Sequence, residues 1–334
     1  MKKKLITWLM ILSLFLLSAC GKGKAVPSSS GEDVSYPLTL TDQAGRTVTI
    51  PKKPERIVSG YYITTSTLIA LGVKDRICGI EEKAGKRNIY RLSAPELLEL
   101  KNVGSAKNLD IEACVSLQPD LVILPAKVQK AAETLSDLGI PVILVEPETG
   151  DAAEEMITLL GKAVSAEPKA QELISYIHRV REKLAARPGE KVRVYLSGNS
   201  GFLKTAGAKM YQAEMIRESG NENAAEALEE SYWAEVGYEQ ILVWNPELIL
   251  LASEAVYTVD DVLNDPALKG VKAIENKRVY AMPSDFEAWD SPVPGAVLGS
   301  LYLSSLTGGV TEEEYRASVK EFYETFYGFT PESF

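Results

Sequence analysis

Histidine and cysteine are scarce in this sequence, and their scarcity excludes several kinds of site. The 334 residues contain one histidine, His178, and three cysteines. Zinc sites and most catalytic transition-metal sites use several His or Cys side chains, and a histidine-dependent catalytic triad would have to use His178. This residue stands in the helix-like run AQELISYIHRVREKLAAR without a partner nearby in the sequence. We therefore interpret it as a residue on a helix face.

Nucleotide-binding and hydrolase motifs are absent as well. The sequence contains no GxxxxGK[ST] and no GxGxxG, and SGNSG at residues 197–201 has the wrong spacing for a nucleophile elbow. Apart from Cys20 only Cys78 and Cys114 remain, too few for a disulfide scaffold. We expect two buried thiols, and whether they pair stays open. The sequence predicts a protein that is not an enzyme and has no resident cofactor.

A surplus of basic residues is also missing. The chain has 46 Asp and Glu against 36 Lys and Arg, and its formal net charge is −10. Binding to a phosphate backbone requires the opposite sign, so we expect no nucleic-acid partner. The composition, 46% hydrophobic and 25% charged, is ordinary for a soluble globular chain, and the length is sufficient for two domains.

The first residues have the order of a secretory signal. Lys2, Lys3 and Lys4 precede the apolar run of residues 5–17, and the small residues Ser18 and Ala19 follow it. The run is shorter than the ~20 residues that a membrane-spanning helix needs, although a start helix that is left in place is the alternative.

Residues 17–20, Leu-Ser-Ala-Cys, resemble the bacterial lipobox. That resemblance implies that residues 1–19 are a lipoprotein signal peptide and that the thiol of Cys20 carries the lipid. Two or more acyl chains would give stable anchoring. Residues 20–35 are rich in Gly, Ser, Lys and Pro and are predicted to be a flexible tether.

Strand-like and helix-like segments alternate through the rest of the chain. ERIVSG, DRICGI, PDLVILP and IPVILVEP read as strands that are separated by helical runs, and this order predicts an α/β fold with parallel sheets. A long helical run then precedes a second alternating region. We predict an N-terminal lobe at residues 36–165, a linking helix at 166–188 and a C-terminal lobe at 189–334.

One segment of each half matches the other. EACVSLQPDLVIL, starting at Glu112, aligns without a gap to EQILVWNPELILL, starting at Glu239. A common helix-turn-strand unit explains the apolar positions and the prolines, Pro119 and Pro246. The shared glutamate has two explanations: a preference for acid in a first helical turn, or a contact in each lobe with a partner that itself has two similar halves.

The chain resembles the substrate-binding lipoproteins of ABC importers in the class where two Rossmann-like lobes are joined by one long helix. The resemblance extends from PLTLTDQAGRTVTIPKKPERIVSG to YEQILVWNPELIL. It implies that Glu112 and Glu239 dock onto arginines of the permease dimer. Related proteins bind ferric siderophores, haem or cobalamin, and a branch that binds bare zinc or manganese uses histidines that this sequence lacks.

In such a fold the ligand lies at the carboxyl ends of the parallel strands. The candidate ligand-binding residues in the loops after predicted strands are Tyr61, Tyr62, Lys127, Phe202, Lys204, Trp233, Tyr257 and Trp289. Their clustering at strand ends favours cleft lining, although each aromatic residue could instead fill the core. Arg87, Arg91, Lys107 and Lys204 are either surface charges or the local cations that an anionic chelate requires. Because they open helices that precede strands, Glu112 and Glu239 are expected to lie away from this crevice.

These observations predict a lipid-anchored monomer on the extracytoplasmic face of the cell membrane. It would capture a compact metal chelate between its lobes and release it into a permease that a separate ATPase drives. Ferric siderophore is the first expectation. Haem, with a tyrosine such as Tyr61 or Tyr62 as iron ligand, and cobalamin are the alternatives of the same importer type. A membrane-anchored enzyme and an adhesion module are the rival classes.

Overall fold

The computed structural model describes residues 35–186, 191–230 and 232–332. The predicted signal peptide, Cys20 and all but the last residue of the predicted tether lie outside these ranges. Among the described residues, no helix combines the length and the apolar character that crossing a membrane requires.

The N-terminal half contains a five-stranded parallel sheet in the order β5-β4-β3-β8-β9. The strands of this half are β1 (Leu38–Thr41), β2 (Thr47–Ile50), β3 (Ile57–Ser59), β4 (Ile77–Ile80), β5 (Lys101–Asn102), β6 (Gly104–Ser105), β7 (Asn108–Leu109), β8 (Leu121–Pro125) and β9 (Val142–Val145). Its helices are α1 (Tyr62–Ala70), α2 (Asn88–Ser93), α3 (Ile111–Ser116), α4 (Gln129–Asp137) and α5 (Gly150–Ala163). Every residue of β3, β8 and β9 is buried, as expected for a parallel sheet covered on both faces.

A helix of 19 residues, α6 (Glu167–Ala185), follows α5 and has Pro168 in its first turn, where the missing N–H of proline costs nothing. Between α5 and α6, Ser165 has a φ of 53°, so the long helical run consists of two helices, the second of which begins near Pro168 as predicted. The predicted domain boundaries stay a prediction.

The C-terminal half has a mixed sheet in the order β13-β11-β10-β14-β15, with β12 also paired to β10. The strands are β10 (Arg193–Gly198), β11 (Gly201–Thr205), β12 (Glu222–Asn223), β13 (Ala234–Glu235), β14 (Leu248–Leu251) and β15 (Val279–Ala281). The helices are α7 (Tyr211–Glu218), α8 (Tyr238–Trp244), α9 (Val259–Leu263), α10 (Lys272–Glu275), α11 (Val297–Leu306) and α12 (Glu312–Phe326). The strands β10, β12, β14 and β15 are parallel, whereas β11 pairs antiparallel with both of its neighbours, β10 and β13.

The matched segments have the same local structure in both halves. Glu112 is the second residue of α3, which leads into β8, and Glu239 is the second residue of α8, which leads into β14. The α/β fold with parallel strands is confirmed, and the antiparallel strands of the second sheet are an addition that the sequence did not predict.

Candidate ligand-binding site

A pocket of about 330 Å³ opens at the carboxyl ends of β3 and β4. Its lining includes Tyr61, Tyr62, Glu81, Lys83, Arg87 and Lys107. This is the edge of a parallel α/β sheet where ligands are expected. Two predicted ligand-binding residues, Tyr61 and Tyr62, therefore meet in one pocket.

Two glycines shape the walls of the pocket. A Cβ at Gly60, directly after β3, would lie 2.6 Å from Leu124 Cδ2, so any larger residue here would displace that leucine side chain. Gly104, which opens the β6–β7 hairpin, has a φ of 90°, and a Cβ there would lie 2.3 Å from the carbonyl oxygen of Asn108. The resulting tight hairpin places Lys107 beside the pocket.

The two tyrosines form the aromatic part of the lining. Their rings are 5.2 Å apart and meet at 80°, edge to face, and the guanidinium carbon of Arg87 is 4.2 Å from the centroid of the Tyr62 ring. Burial is the main cause that raises the pKa of both phenols. The pocket thus presents neutral tyrosines, one of which holds a stacked cation.

Arg87 contacts residues of both halves of the chain. Its Nη1 donates to Oε1 of Glu254 at 3.3 Å, and Glu254 belongs to the loop after β14 in the other half. Its Nε is buried and has no hydrogen-bond partner within the described ranges. An unpartnered buried donor is costly in a protein, so the described residues leave part of the hydrogen-bonding capacity of Arg87 unsatisfied.

Glu81 is a buried carboxyl in the lining of the pocket. Oε1 accepts a hydrogen bond from the Tyr90 hydroxyl and Oε2 accepts one from the Thr65 hydroxyl, both at 2.8 Å. Burial raises the pKa of Glu81, and the hydroxyl of Tyr90 is the largest opposing influence. A protonated Glu81 would add no negative charge to the pocket.

Cations outnumber exposed acids in the lining of the pocket, although Arg87 is itself half-buried. Lys83, Arg87 and Lys107 stand against one exposed acid, Glu82. In a chain with a formal charge of −10, this local reversal of sign suits an anionic ligand.

A smaller pocket of about 50 Å³ adjoins the first and shares Tyr61 with it. Its lining includes Lys127, whose Nζ is 3.7 Å from Glu148 Oε1 and 5.4 Å from the ring centroid of Tyr232. Tyr232 precedes β13, so Lys127 and Arg87 each contact the other half of the chain.

The predicted aromatic residues of the C-terminal half pack among themselves. The Phe202 ring is 5.5 Å from that of Tyr195, 6.3 Å from that of Tyr238 and 6.1 Å from that of Tyr257. The hydroxyl of Tyr257 donates to the carbonyl of Gly198 at 2.6 Å. Phe202 and Tyr257 thus lie at the carboxyl end of β10, outside the linings of both pockets described above, and their role in binding stays a prediction.

Trp233 and Lys204 belong to the C-terminal half and are not part of the lining of the pocket. A Cβ on Gly198 would lie 3.1 Å from Trp233 Cε3, so the indole covers this glycine. Nζ of Lys204 is 3.9 Å from Glu235 Oε1. Their assignment to the ligand site also stays a prediction.

The structure contradicts the predicted position of Trp289. Its side chain is only 1% exposed, and its Nε1 donates to the hydroxyl of Tyr323 at 2.9 Å inside the core. The prediction that Trp289 lines the cleft is wrong, because the segment after Phe286 turns inward and packs beneath α12.

The sequence left the role of Arg87 open and gave no indication of its partner Glu254. Arg87 follows the short 3-10 helix Ala84–Lys86 beyond β4, and the lysine-rich loop EEKAGKR was the available signal. Arg91, considered equally, instead bonds to Asn88 Oδ1 at 2.7 Å and to the carbonyl of Gly85. No sequence signal pointed to Glu254, since its contact joins positions 167 residues apart.

Glu112 and Glu239 are exposed. The expectation that they lie away from the ligand crevice is wrong. The β6–β7 hairpin lines the pocket and leads directly into α3, so Glu112 lies at the same edge of the sheet. In the other half, Tyr238 opens α8 and stacks against Phe202 at the carboxyl end of β10. A helix that precedes a parallel strand runs antiparallel to it, so its first turn is at the carboxyl edge, on the ligand side.

Within the described part of the chain, no group of three or more His, Cys, Asp and Glu side chains could hold a metal ion. Cys78 and Cys114 are both free thiols, the first half-buried and the second buried.

Residues 57–286 match the family model described as periplasmic binding protein, and this range includes the whole candidate pocket. The chain belongs to this family. Relatives include the molybdate-binding protein MolA of Haemophilus influenzae, 28% identical over 86% of this chain and 90% of the relative. The ABC transporter substrate-binding lipoprotein YvrC of Bacillus subtilis is 26% identical over 87% of this chain and 94% of the relative.

Solved structures agree with the family assignment. A periplasmic solute-binding protein of Veillonella parvula has a TM-score of 0.75 at 28% identity and covers 88% of this chain and 94% of that one. Molybdate-bound MolA has a TM-score of 0.77 at 25% identity, covering 88% and 99%. The protein is thus a periplasmic solute-binding component of an ABC importer, a member of a family of transport proteins and not of enzymes.

Proposed function

We propose that this protein captures a compact, anionic, metal-containing ligand in the pocket at Tyr61, Tyr62 and Arg87 and delivers it to an ABC permease. The ligand is either a metal oxyanion or a ferric chelate, and a ferric siderophore is the largest member of this class. The metal is cargo within the ligand and not a resident cofactor.

One observation carries the proposal: Lys83, Arg87 and Lys107 surround a single pocket of an acidic protein. The buried, unpartnered Nε of Arg87 strengthens it. A guanidinium offers several donors in a planar fork that matches oxyanions and carboxylates.

The size of the pocket favours a small ligand. Its volume of about 330 Å³ is near the lower end of the ~300–1,000 Å³ that ligand pockets occupy. An oxyanion or a small ferric chelate fits this volume more readily than cobalamin does.

The names of the relatives support the same class. One is named as molybdate-binding, and two Bacillus subtilis relatives, each 24% identical, are named as binding petrobactin and Fe(3+)-citrate. Cobalamin-binding relatives of Halobacterium salinarum match over only 66% of this chain. Haem ligation would use a phenolate, and the raised pKa of Tyr61 and Tyr62 disfavours that form in the free protein.

Delivery would depend on docking and on anchoring. Glu112 and Glu239 are exposed, occupy matched helix positions and lie at the ligand edge of their sheets, so a permease dimer with two similar halves could contact both. Exposed ion pairs contribute only ~0–1 kcal/mol each and would serve orientation and steering. The lipid on Cys20 would hold the protein at the membrane; Cys20→Ser should release it from the membrane fraction or leave it uncleaved.

The ligand can be tested in two steps. Metal analysis and the visible spectrum of whatever copurifies identify the natural cargo. Thermal midpoints of the ligand-free protein are then measured with sodium molybdate, ferric citrate, a ferric siderophore, haem and cyanocobalamin. The proposal expects stabilisation by one of the first three, with weaker effects at high salt. Stabilisation by haem or cyanocobalamin alone would contradict it.

A further inference from the structure

We propose that Glu254 is an internal counter-ion of Arg87, and that an anionic ligand competes with Glu254 for the charge of this arginine. This inference rests on the proposed function, because it requires the ligand to be an anion. Glu254 would then determine how tightly the pocket binds anions, although neither it nor any other residue of its half of the protein belongs to the 330 Å³ lining.

Arg87 lies between Glu254 and the pocket in which an anionic ligand would bind. Arg87 lines the pocket on one side, and on the other its Nη1 is 3.3 Å from Glu254 Oε1. Both residues also border a narrow gap of about 20 Å³ beside Tyr62, at the junction of the two halves. Glu254 therefore contacts the guanidinium without entering the ligand pocket.

Glu254 does not satisfy every donor of Arg87. Glu254 bonds to Nη1 only, whereas Nε is buried without a partner among the residues that the structure describes. The Tyr62 ring, 4.2 Å from the guanidinium carbon, fixes the plane of the fork. A carboxylate at one end of the guanidinium reduces the attraction that an anion experiences at the other.

The backbone of Glu254 gives a second, independent observation. Its φ is 59°, in the left-handed region where glycine is the usual residue and other side chains are strained. A glutamate is unfavourable at this position on local grounds. Its carboxylate, however, is the group that meets Arg87, so the strained position carries the side chain that the counter-ion role requires.

The competing explanation is that the Arg87–Glu254 ion pair only stabilises the junction of the two halves. In that case removal of the Glu254 charge would loosen the junction and leave anion binding unchanged or weaker. A competing counter-ion has the opposite sign of effect: removal of its charge strengthens anion binding. The direction of the change separates the two explanations.

The test compares dissociation constants of the ligand-free protein for sodium molybdate and for ferric citrate by isothermal titration calorimetry. Variants are Glu254→Gln, which removes the charge, and Glu254→Gly, which also relieves the backbone. The matched control is Glu235→Gln, which removes one acid of another ion pair in the same half of the chain, that with Lys204.

We expect Glu254→Gln and Glu254→Gly to bind whichever probe the wild type binds roughly two- to fivefold more tightly, the range for loss of a partly exposed ion pair. The gain should shrink in high salt, and Glu235→Gln should leave the affinity unchanged. Equal or weaker binding by both Glu254 variants, beside a wild type that binds, would overturn the counter-ion role alone. Failure of the wild type and of every variant to bind any anion would overturn the proposed function and this inference together.

Discussion

Gln118 and Asn245 occupy the same position in the two halves of the protein, and both have a φ of 47°. Each stands directly before a proline, Pro119 or Pro246, and ends the turn between a short helix and a buried strand. A left-handed residue stops a helix, and the following proline cannot continue it. The repeat therefore extends from sequence to backbone conformation, so α3 and α8 are equivalent elements.

The two left-handed residues should respond differently to glycine. Gln118→Gly relieves strain without loss of a side-chain bond that the structure describes, and we expect a gain of about 0.5–1 kcal/mol in the free energy of unfolding. Asn245→Gly should lower it, because Asn tolerates this conformation and its Oδ1 accepts from the Lys272 N–H at 2.9 Å. Denaturant titration of both variants checks the signs, and equal effects would argue against this account.

Equivalence of α3 and α8 predicts matched effects on transport. Glu112→Ala and Glu239→Ala should each reduce ligand uptake in cells, and the double variant should reduce it further, because each change removes one of two contacts with the permease. Charge reversal to Lys should reduce uptake more than Ala does, since it adds repulsion. Ligand affinity in solution should hardly change, as neither residue lines the pocket.

Glu313→Ala is the matched control for this experiment. Glu313 is also an exposed acid at the second position of a helix, α12, so its loss has the same local effect on the helix dipole. Uptake should be normal in this variant. Normal uptake in the Glu112 and Glu239 double variant would refute docking, and a parallel loss of affinity would move these glutamates into the ligand site.

Trp289→Phe should act on stability and not on affinity. The change removes the hydrogen bond to Tyr323 and leaves a cavity in the core, because Trp289 is only 1% exposed. We expect a loss of roughly 2 kcal/mol in the free energy of unfolding, measured by denaturant titration. Weaker ligand binding with unchanged stability would restore Trp289 to the cleft.

Glu287 should make the stability depend on pH. Burial raises its pKa to about 7, although the hydroxyls of Tyr327 and Tyr323 donate to it. The folded state therefore retains a proton that the unfolded chain releases near 4.5. The contribution to stability is fully present at lower pH and is lost as the pH rises towards 7, with a slope of at most about 1.4 kcal/mol per pH unit.

Comparison with Glu287→Gln isolates this contribution, because other buried acids also titrate. The free energy of unfolding of the wild type should fall more between mildly acidic and neutral pH than that of the variant. Identical pH profiles would show that Glu287 is ionised in the folded protein throughout.

Local patterns in the sequence were sufficient for the fold and for part of the site. Buried strands such as LVILP, and the aligned segments at Glu112 and Glu239, are continuous signals that the backbone follows. Tyr61 and Tyr62 were found because they come directly after a strand. Trp289 was misplaced because an inward turn after Phe286 depends on packing against α12, and the pairing of Arg87 with Glu254 depends on how the two halves meet.

The most direct test of the central claim is the affinity of the natural cargo, or of its metal oxyanion or ferric citrate analogue, for Arg87→Gln and Lys204→Gln. Arg87 lines the pocket with a free buried Nε, whereas Lys204 is paired with Glu235 outside it. Both changes remove one positive charge from an acidic protein, so the two variants have the same net charge. We predict a loss of at least about tenfold, or ~1.4 kcal/mol, for Arg87→Gln, and a clearly smaller loss for Lys204→Gln. Unchanged affinity in Arg87→Gln together with a loss in Lys204→Gln would place the ligand in the C-terminal half and contradict the account.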